Sequence, residues 1–232
     1  MGGALLRSMM REVNEPARAP RSLTVHFCAP VGEGEARLAV RIERAGRQVS
    51  HVSARLEQGG QVACLASATF AVSRETSLVY SEARMPPVPP PAQVPTTPSE
   101  LLPVFGRQFE YRWCVGAAPY SGAAEARAGG WIRPRAATPL DAPLVVGLLD
   151  AYPPASFVRV EGFCNGATMD YTVQFHAPLP LEGAAPDAFY LRTGESRWAA
   201  EGYADDVADL WSEDGRLVAR FRQVAAVFPP SR

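Results

Sequence analysis

The sequence predicts an α+β protein: two tandem copies of a helix followed by antiparallel strands, paired into one continuous sheet. Three observations point there. Residues 24–30 read Thr-Val-His-Phe-Cys-Ala-Pro and residues 172–178 read Thr-Val-Gln-Phe-His-Ala-Pro, identical at five of seven positions. Gly60-Gln61-Val62-Ala63 is answered, in the same order along the chain, by Gly215-Arg216-Leu217-Val218, each at the turn into a last strand. Between the two copies, Pro86, Pro87, Pro89, Pro90, Pro91, Pro95 and Pro98 crowd a segment that donates few ladder hydrogen bonds and favours polyproline II.

Residues 3–13 carry a helical pattern, and residues 22–29, 36–43, 48–57 and 61–72 read as strands separated by glycine-containing turns. After the proline-rich stretch come strand-like residues 108–115 and 130–135. A buried helix follows over 141–151, with an acid in its first turn and Pro153-Pro154 at its end. Residues 168–176, 188–199, 201–212 and 216–228 then read as strands. The expected organisation is an N-terminal half over 1–75, a semi-rigid linker over 76–103 and a C-terminal half over 104–232. Two strands precede the helix of the second half, whereas the first half opens almost on its helix, so the N-terminal half is expected to lack its first strand.

Composition narrows the function. With 47% hydrophobic residues in 232, the chain has enough apolar side chains for a sizeable core. A formal net charge of -1 supplies no field to draw in nucleic acid. There is no Lys, so Schiff-base chemistry is excluded, while arginine remains for phosphate contacts. Cys28, Cys64, Cys114 and Cys164 form no CxxC pair and read as reduced, buried thiols. No metal site is expected, because His26, His51 and His176 lie on separate strands. No GxSxG elbow is present. Neither a membrane span nor a signal-peptide pattern is apparent, which points to the cytoplasm and to no membrane partner.

Superposing the repeats leaves polar residues in one copy only: Thr168 falls opposite Pro20 and Gln223 opposite Ala68. Asp150 ends an apolar helical run, Pro143-Leu144-Val145-Val146-Gly147-Leu148-Leu149, where a carboxylate needs a partner or has its pKa raised. Its structural alternative is to cap Ala155 or Ser156 through the Pro-Pro turn. Strict alternation places Thr168 with Asp170, Thr172, Gln174 and His176, opposite the face of Met169, Tyr171, Val173 and Phe175, where its hydroxyl can meet the helix that crosses the sheet. Gln223 is in phase with Ala219 and Phe221, which makes it an inward amide in need of a partner.

These residues resemble a known family, the acyl-CoA thioesterase II group of double-hotdog thioesterases. The resemblance rests on Gly2-Gly3 opening the first helix, the strand run over 21–70, Gly130-Trp131-Ile132-Arg133, Leu148-Leu149-Asp150, Ala167-Thr168-Met169-Asp170 and Arg222-Gln223. It implies a double hotdog fold and hydrolysis of acyl-CoA, with no cofactor beyond the CoA carried by the substrate. It also implies that Asp150, Thr168 and Gln223 hold and activate a water. Gly2 and Gly3 are candidates for the oxyanion site at a helix N-terminus, and Trp131, Arg133 and Arg135 for contacts to the nucleotide of CoA. A non-catalytic acyl-CoA or acyl-carrier binding module is the alternative. A hydratase would pair the helix acid with His176, which lies eight residues from Thr168 along one strand, about 26 Å away. Sheet edges in such a fold favour a homodimer or higher homo-oligomer.

Overall fold

The computed structural model describes residues 1–228; the last four residues of the expected C-terminal half, 229–232, lie outside the described residues. Helix α1 (Gly2–Val13) buries Leu5, Leu6 and Met9 on one face and stops at Asn14, whose left-handed φ of 47° turns the chain away. Helix α2 (Ala142–Asp150) is capped by Asp141, whose Oδ1 accepts from Leu144 N at 2.8 Å, with proline in the first turn. Asp141 therefore caps the helix from outside its first turn. The two helices pack together, and Arg7 of α1 reaches Asp141 at 3.2 Å.

The strands of the first half are β1 (Ala19–Phe27), β2 (Arg37–Ala45), β3 (Val49–Gln58) and β4 (Gln61–Ala71). Those of the second half are β5 (Phe109–Gly116), β6 (Arg127–Pro134), β7 (Gly166–Phe175), β8 (Tyr190–Glu195), the two-residue β9 (Ala199–Ala200), β10 (Tyr203–Ser212) and β11 (Leu217–Val227). They form one antiparallel sheet in the order β2-β3-β4-β1-β7-β11-β10-β8-β6-β5, with β9 beside β10. Either side of the β1–β7 seam the order mirrors itself, so β1, β2, β3 and β4 correspond to β7, β8, β10 and β11. The repeated heptapeptides meet across this seam: Thr24 is the register partner of Thr172, and their hydroxyls lie 3.0 Å apart. Among the described residues the first half has no counterpart of β5 and β6.

Alternation decides the core. Leu23, Val25, Val52, Ala68, Phe70, Tyr171, Val173, Leu210, Ala219 and Phe221 face the two helices and are nearly sealed from solvent. The proline-rich segment is a strap laid across the other face. Ala83, Met85, Val88 and Val94 pack on Val115, Trp131, Leu191 and Trp211 there. Arg112 Nη1 donates to Pro91 O at 2.6 Å, and Thr97 N donates to Tyr111 O at 2.7 Å. A chain of prolines leaves its carbonyls free, and the sheet's side chains use them. Two cysteines depart from the buried expectation: Cys28 is exposed just beyond β1 and Cys114 is half-buried, whereas Cys64 and Cys164 are buried.

Candidate active site

Asp150, Thr168 and Gln223 come from α2, β7 and β11, with β7 and β11 hydrogen-bonded neighbours. Gln223 is 5% exposed and faces inward with Ala219 and Phe221, as its phase predicts. Thr168 does not follow strict alternation. Asp170 pairs with Val224 and Thr168 with Ala225, so Met169 is bulged out of register and is 44% exposed. The bulge turns Thr168 onto the face of Tyr171, against the alternation reading, and its hydroxyl donates to Gln223 Oε1 at 2.9 Å.

The Gln223 amide nitrogen donates in turn to Asp206 Oδ2 at 3.1 Å, and the same oxygen accepts from Arg192 Nη2 at 2.8 Å. Asp206 Oδ1 accepts from Ala155 N at 3.0 Å, so Asp206, and not Asp150, caps the turn after the Pro-Pro pair. Asp206 and Arg192 are both fully buried. Neither was among the residues singled out from the sequence. Asp206 lies in phase with Ala204, Ala208 and Leu210, the same signal that marks Gln223.

Asp150 is half-buried, and among the described residues no hydrogen bond ties its carboxylate to Thr168 or Gln223. Desolvation pushes its pKa up to about 6, opposed by the positive amino terminus and by the Arg192 guanidinium. Tyr171 stands directly across β7–β11 from Gln223. Its hydroxyl is buried without a partner among the described residues, and its pKa is raised by burial and then by the charge of Asp150. That hydroxyl lies against the start of α1, where a β-carbon on Gly2 would sit 1.5 Å from Tyr171 Oη; one on Gly3 would sit 2.7 Å from Pro143 O. The two glycines thus let the first turn of α1 lie close over this site. Ala4 N and Leu5 N bond to Met1 O. The N–H groups of Gly2 and Gly3 have no acceptor within the helix.

The structure separates the expected nucleotide contacts from this site. Trp131 is 3% exposed on the strap side of the sheet, and its indole N–H donates to Pro89 O at 2.8 Å. Arg133 donates twice to Glu110 Oε2, at 3.0 and 2.8 Å, and stacks over Phe189 at 4.3 Å. Arg135 is exposed and donates to Arg107 O at 3.1 Å. The donors of both Trp131 and Arg133 are already used, that of Trp131 to hold the strap and those of Arg133 on Glu110 of β5 and on Asp187 O, which leaves neither free for a nucleotide. His176, the residue a hydratase would recruit, is exposed past the far end of β7.

Residues 83–227 match the family model described as the acyl-CoA thioesterase C-terminal domain, and residues 1–71 match the acyl-CoA thioesterase N-terminal domain. The chain belongs to the acyl-CoA thioesterase family. This thioester hydrolase shares its fold with a hot dog protein of unknown function from Alicyclobacillus acidocaldarius, at 27% identity and TM-score 0.85 over 99% of this chain and 86% of that one. The acyl-CoA thioesterase II TesB2 of Mycobacterium marinum is similar at 22% identity and TM-score 0.78, covering 98% and 88% of the two chains. A tesB protein of Mycobacterium avium subs paratuberculosis is similar at 23% identity and TM-score 0.79, over 98% and 85%. No curated protein matches. Among the described residues no helix of the thioesterase is long and apolar enough to cross a membrane, and no cluster of metal-binding side chains occurs.

Proposed function

We propose that the chain hydrolyses acyl-CoA to free acid and CoA at one site, in its second half, by attack of a water on the thioester without a covalent enzyme intermediate. The observation that carries this reading is the Thr168–Gln223 hydrogen bond, present in one copy of the repeat and absent from the other, across from Tyr171, which feels the charge of Asp150, an acid without a hydrogen-bond partner among the described residues. Asp150 accepts a proton from a water held by Thr168 and Gln223, and the water oxygen bonds to the carbonyl carbon. The carbonyl electrons move onto oxygen, where the free N–H groups of Gly2 and Gly3 stabilise the oxyanion; one such donor is typically worth about 3 to 4 kcal/mol. Collapse breaks the C–S bond, and the departing thiolate takes the proton from Asp150. A pKa near 6 suits both halves of that transfer.

The test is thiol release from acyl-CoAs of graded chain length, comparing wild type with Asp150→Asn and Gln223→Ala. Turnover by wild type and its loss by at least a hundredfold in both variants is the expected result. Tight acyl-CoA binding with no free thiol would overturn the proposal and leave a binding module.

A further inference from the structure

We infer that Asp206, held by Arg192, is a positioning residue for this hydrolysis: it fixes which end of the Gln223 amide faces Thr168. The inference rests on the role proposed above for Gln223. A carboxylate paired with a guanidinium offers only acceptors, so the amide nitrogen must be the end that meets Asp206 Oδ2. The amide oxygen is then turned to Thr168 and takes up its hydroxyl proton at 2.9 Å. With that proton committed, Thr168 Oγ1 faces the reacting water as an acceptor and draws on a water proton, which leaves the water oxygen more nucleophilic. With the amide reversed, Thr168 would accept from nitrogen and give its own proton to the water, blunting the attack.

The repeat supplies an independent comparison. Gln223 pairs with Asp206 across β10–β11 as Ala68 pairs with Val52 across β3–β4. Arg192 pairs with Leu210, four residues along β10 from Asp206, as Leu38 pairs with Leu56, four residues along β3 from Val52. Where the second half has Thr168, Gln223, Asp206 and Arg192, the first half therefore has Pro20, Ala68, Val52 and Leu38. The same sheet is built there with apolar residues at these four positions, so the sheet itself does not require the pair; the Ala155 cap that Asp206 also supplies has no counterpart in the first half. A buried ion pair is weak support for stability, since apolar replacement of both partners is often neutral. Among the described residues Arg192 Nε and Nη1 have no partners, which speaks against a pair optimised for stability.

The test copies the first half into the second. The double variant Arg192→Leu/Asp206→Val is compared with wild type, Gln223→Ala and the triple variant, recording kcat and KM on the acyl-CoA that wild type cleaves fastest, with Tm for each. The expected double variant folds with a lowered Tm, because Ala155 N and the Gln223 amide lose their acceptor, keeps KM within about twofold and loses at least tenfold in kcat. Adding the pair change to Gln223→Ala is expected to cost nothing further, because the pair acts through that amide. An unchanged kcat, a loss that multiplies with that of Gln223→Ala, or a loss confined to KM overturns the inference. Should the double variant not fold, Asp206→Asn is read in the same cycle with Gln223→Ala: a kcat loss that vanishes in that background supports the inference, and a multiplicative loss overturns it. A wild type that releases no thiol overturns the parent reading, whereas an active wild type with an unimpaired pair variant overturns this inference alone.

Discussion

Asp150 titrates near 6 in the folded chain against 3.8 for an ordinary Asp, so the folded state binds its proton more tightly than the unfolded state does. The associated stability is fully present below pH 3.8 and is lost as pH rises through about 6; at pH 8 the desolvated charge costs on the order of 3 kcal/mol. Asp150→Asn is therefore expected to melt several degrees above wild type at pH 8 and to match it near pH 4, while losing turnover. Equal melting shifts at both pH values would sink that account. In wild type, kcat/KM should fall about tenfold per pH unit below about 6, as the base becomes protonated. Thr168→Val leaves Gln223 Oε1 buried without its donor and is expected to cost about 1 to 3 kcal/mol in denaturant unfolding, besides its catalytic effect. The residues of this site were unevenly legible in the sequence. Gln223 announces itself as an amide in an apolar phase. Asp206 obeys the same rule, but its meaning depends on Arg192 arriving from another strand, which no one-dimensional pattern displays. Strict alternation groups Thr168 with Asp170 instead of Tyr171, because a bulge at Met169 leaves no mark in residue type.

Helix α1 owes its seat to a missing side chain. Gly2→Ala puts a methyl group 1.5 Å from Tyr171 Oη and 3.1 Å from Val146 Cγ1, so the helix start must lift from the sheet. A loss of about 1 to 3 kcal/mol and a fall in kcat are expected together. Gly147, in the middle of α2, has nothing within 4 Å of an added β-carbon, and Gly147→Ala should stabilise by about 0.5 to 1 kcal/mol. Paired melting curves check both, and an unperturbed Gly2→Ala would refute the close seat of α1. The proline-rich segment is the element whose character the sequence hid. Proline content predicts a stiff spacer but not the carbonyls it presents, and only the folded sheet brings Trp131, Arg112 and Met85 to one side. Trp131→Phe is expected to lower Tm through loss of the bond to Pro89 and to leave KM for acyl-CoA unchanged. A rise in KM would return Trp131 to the substrate.

The whole molecule is held together at the β1–β7 seam, where the repeated heptapeptides lie antiparallel and Thr24 faces Thr172. This symmetry was the most legible property of the sequence, because a duplication that conserves turn and strand residues shows as identity without any knowledge of contacts. Its consequence is that each half ends in a strand whose outer edge needs the other: β1 exposes an edge without β7, and β7 without β1. The catalytic candidates Asp150, Thr168 and Gln223 all belong to the second half, yet the helix start that covers them, at Gly2, belongs to the first. Produced as separate chains, residues 1–75 and residues 76–232 should each self-associate through the bare edge strand, which light scattering during size-exclusion chromatography would register. Neither should release thiol alone. Mixed in equal amounts, they should form a one-to-one complex that regains turnover. A second half that is monomeric and active by itself would show that α1 contributes nothing to the chemistry, and the oxyanion role given to Gly2 and Gly3 would have to be abandoned.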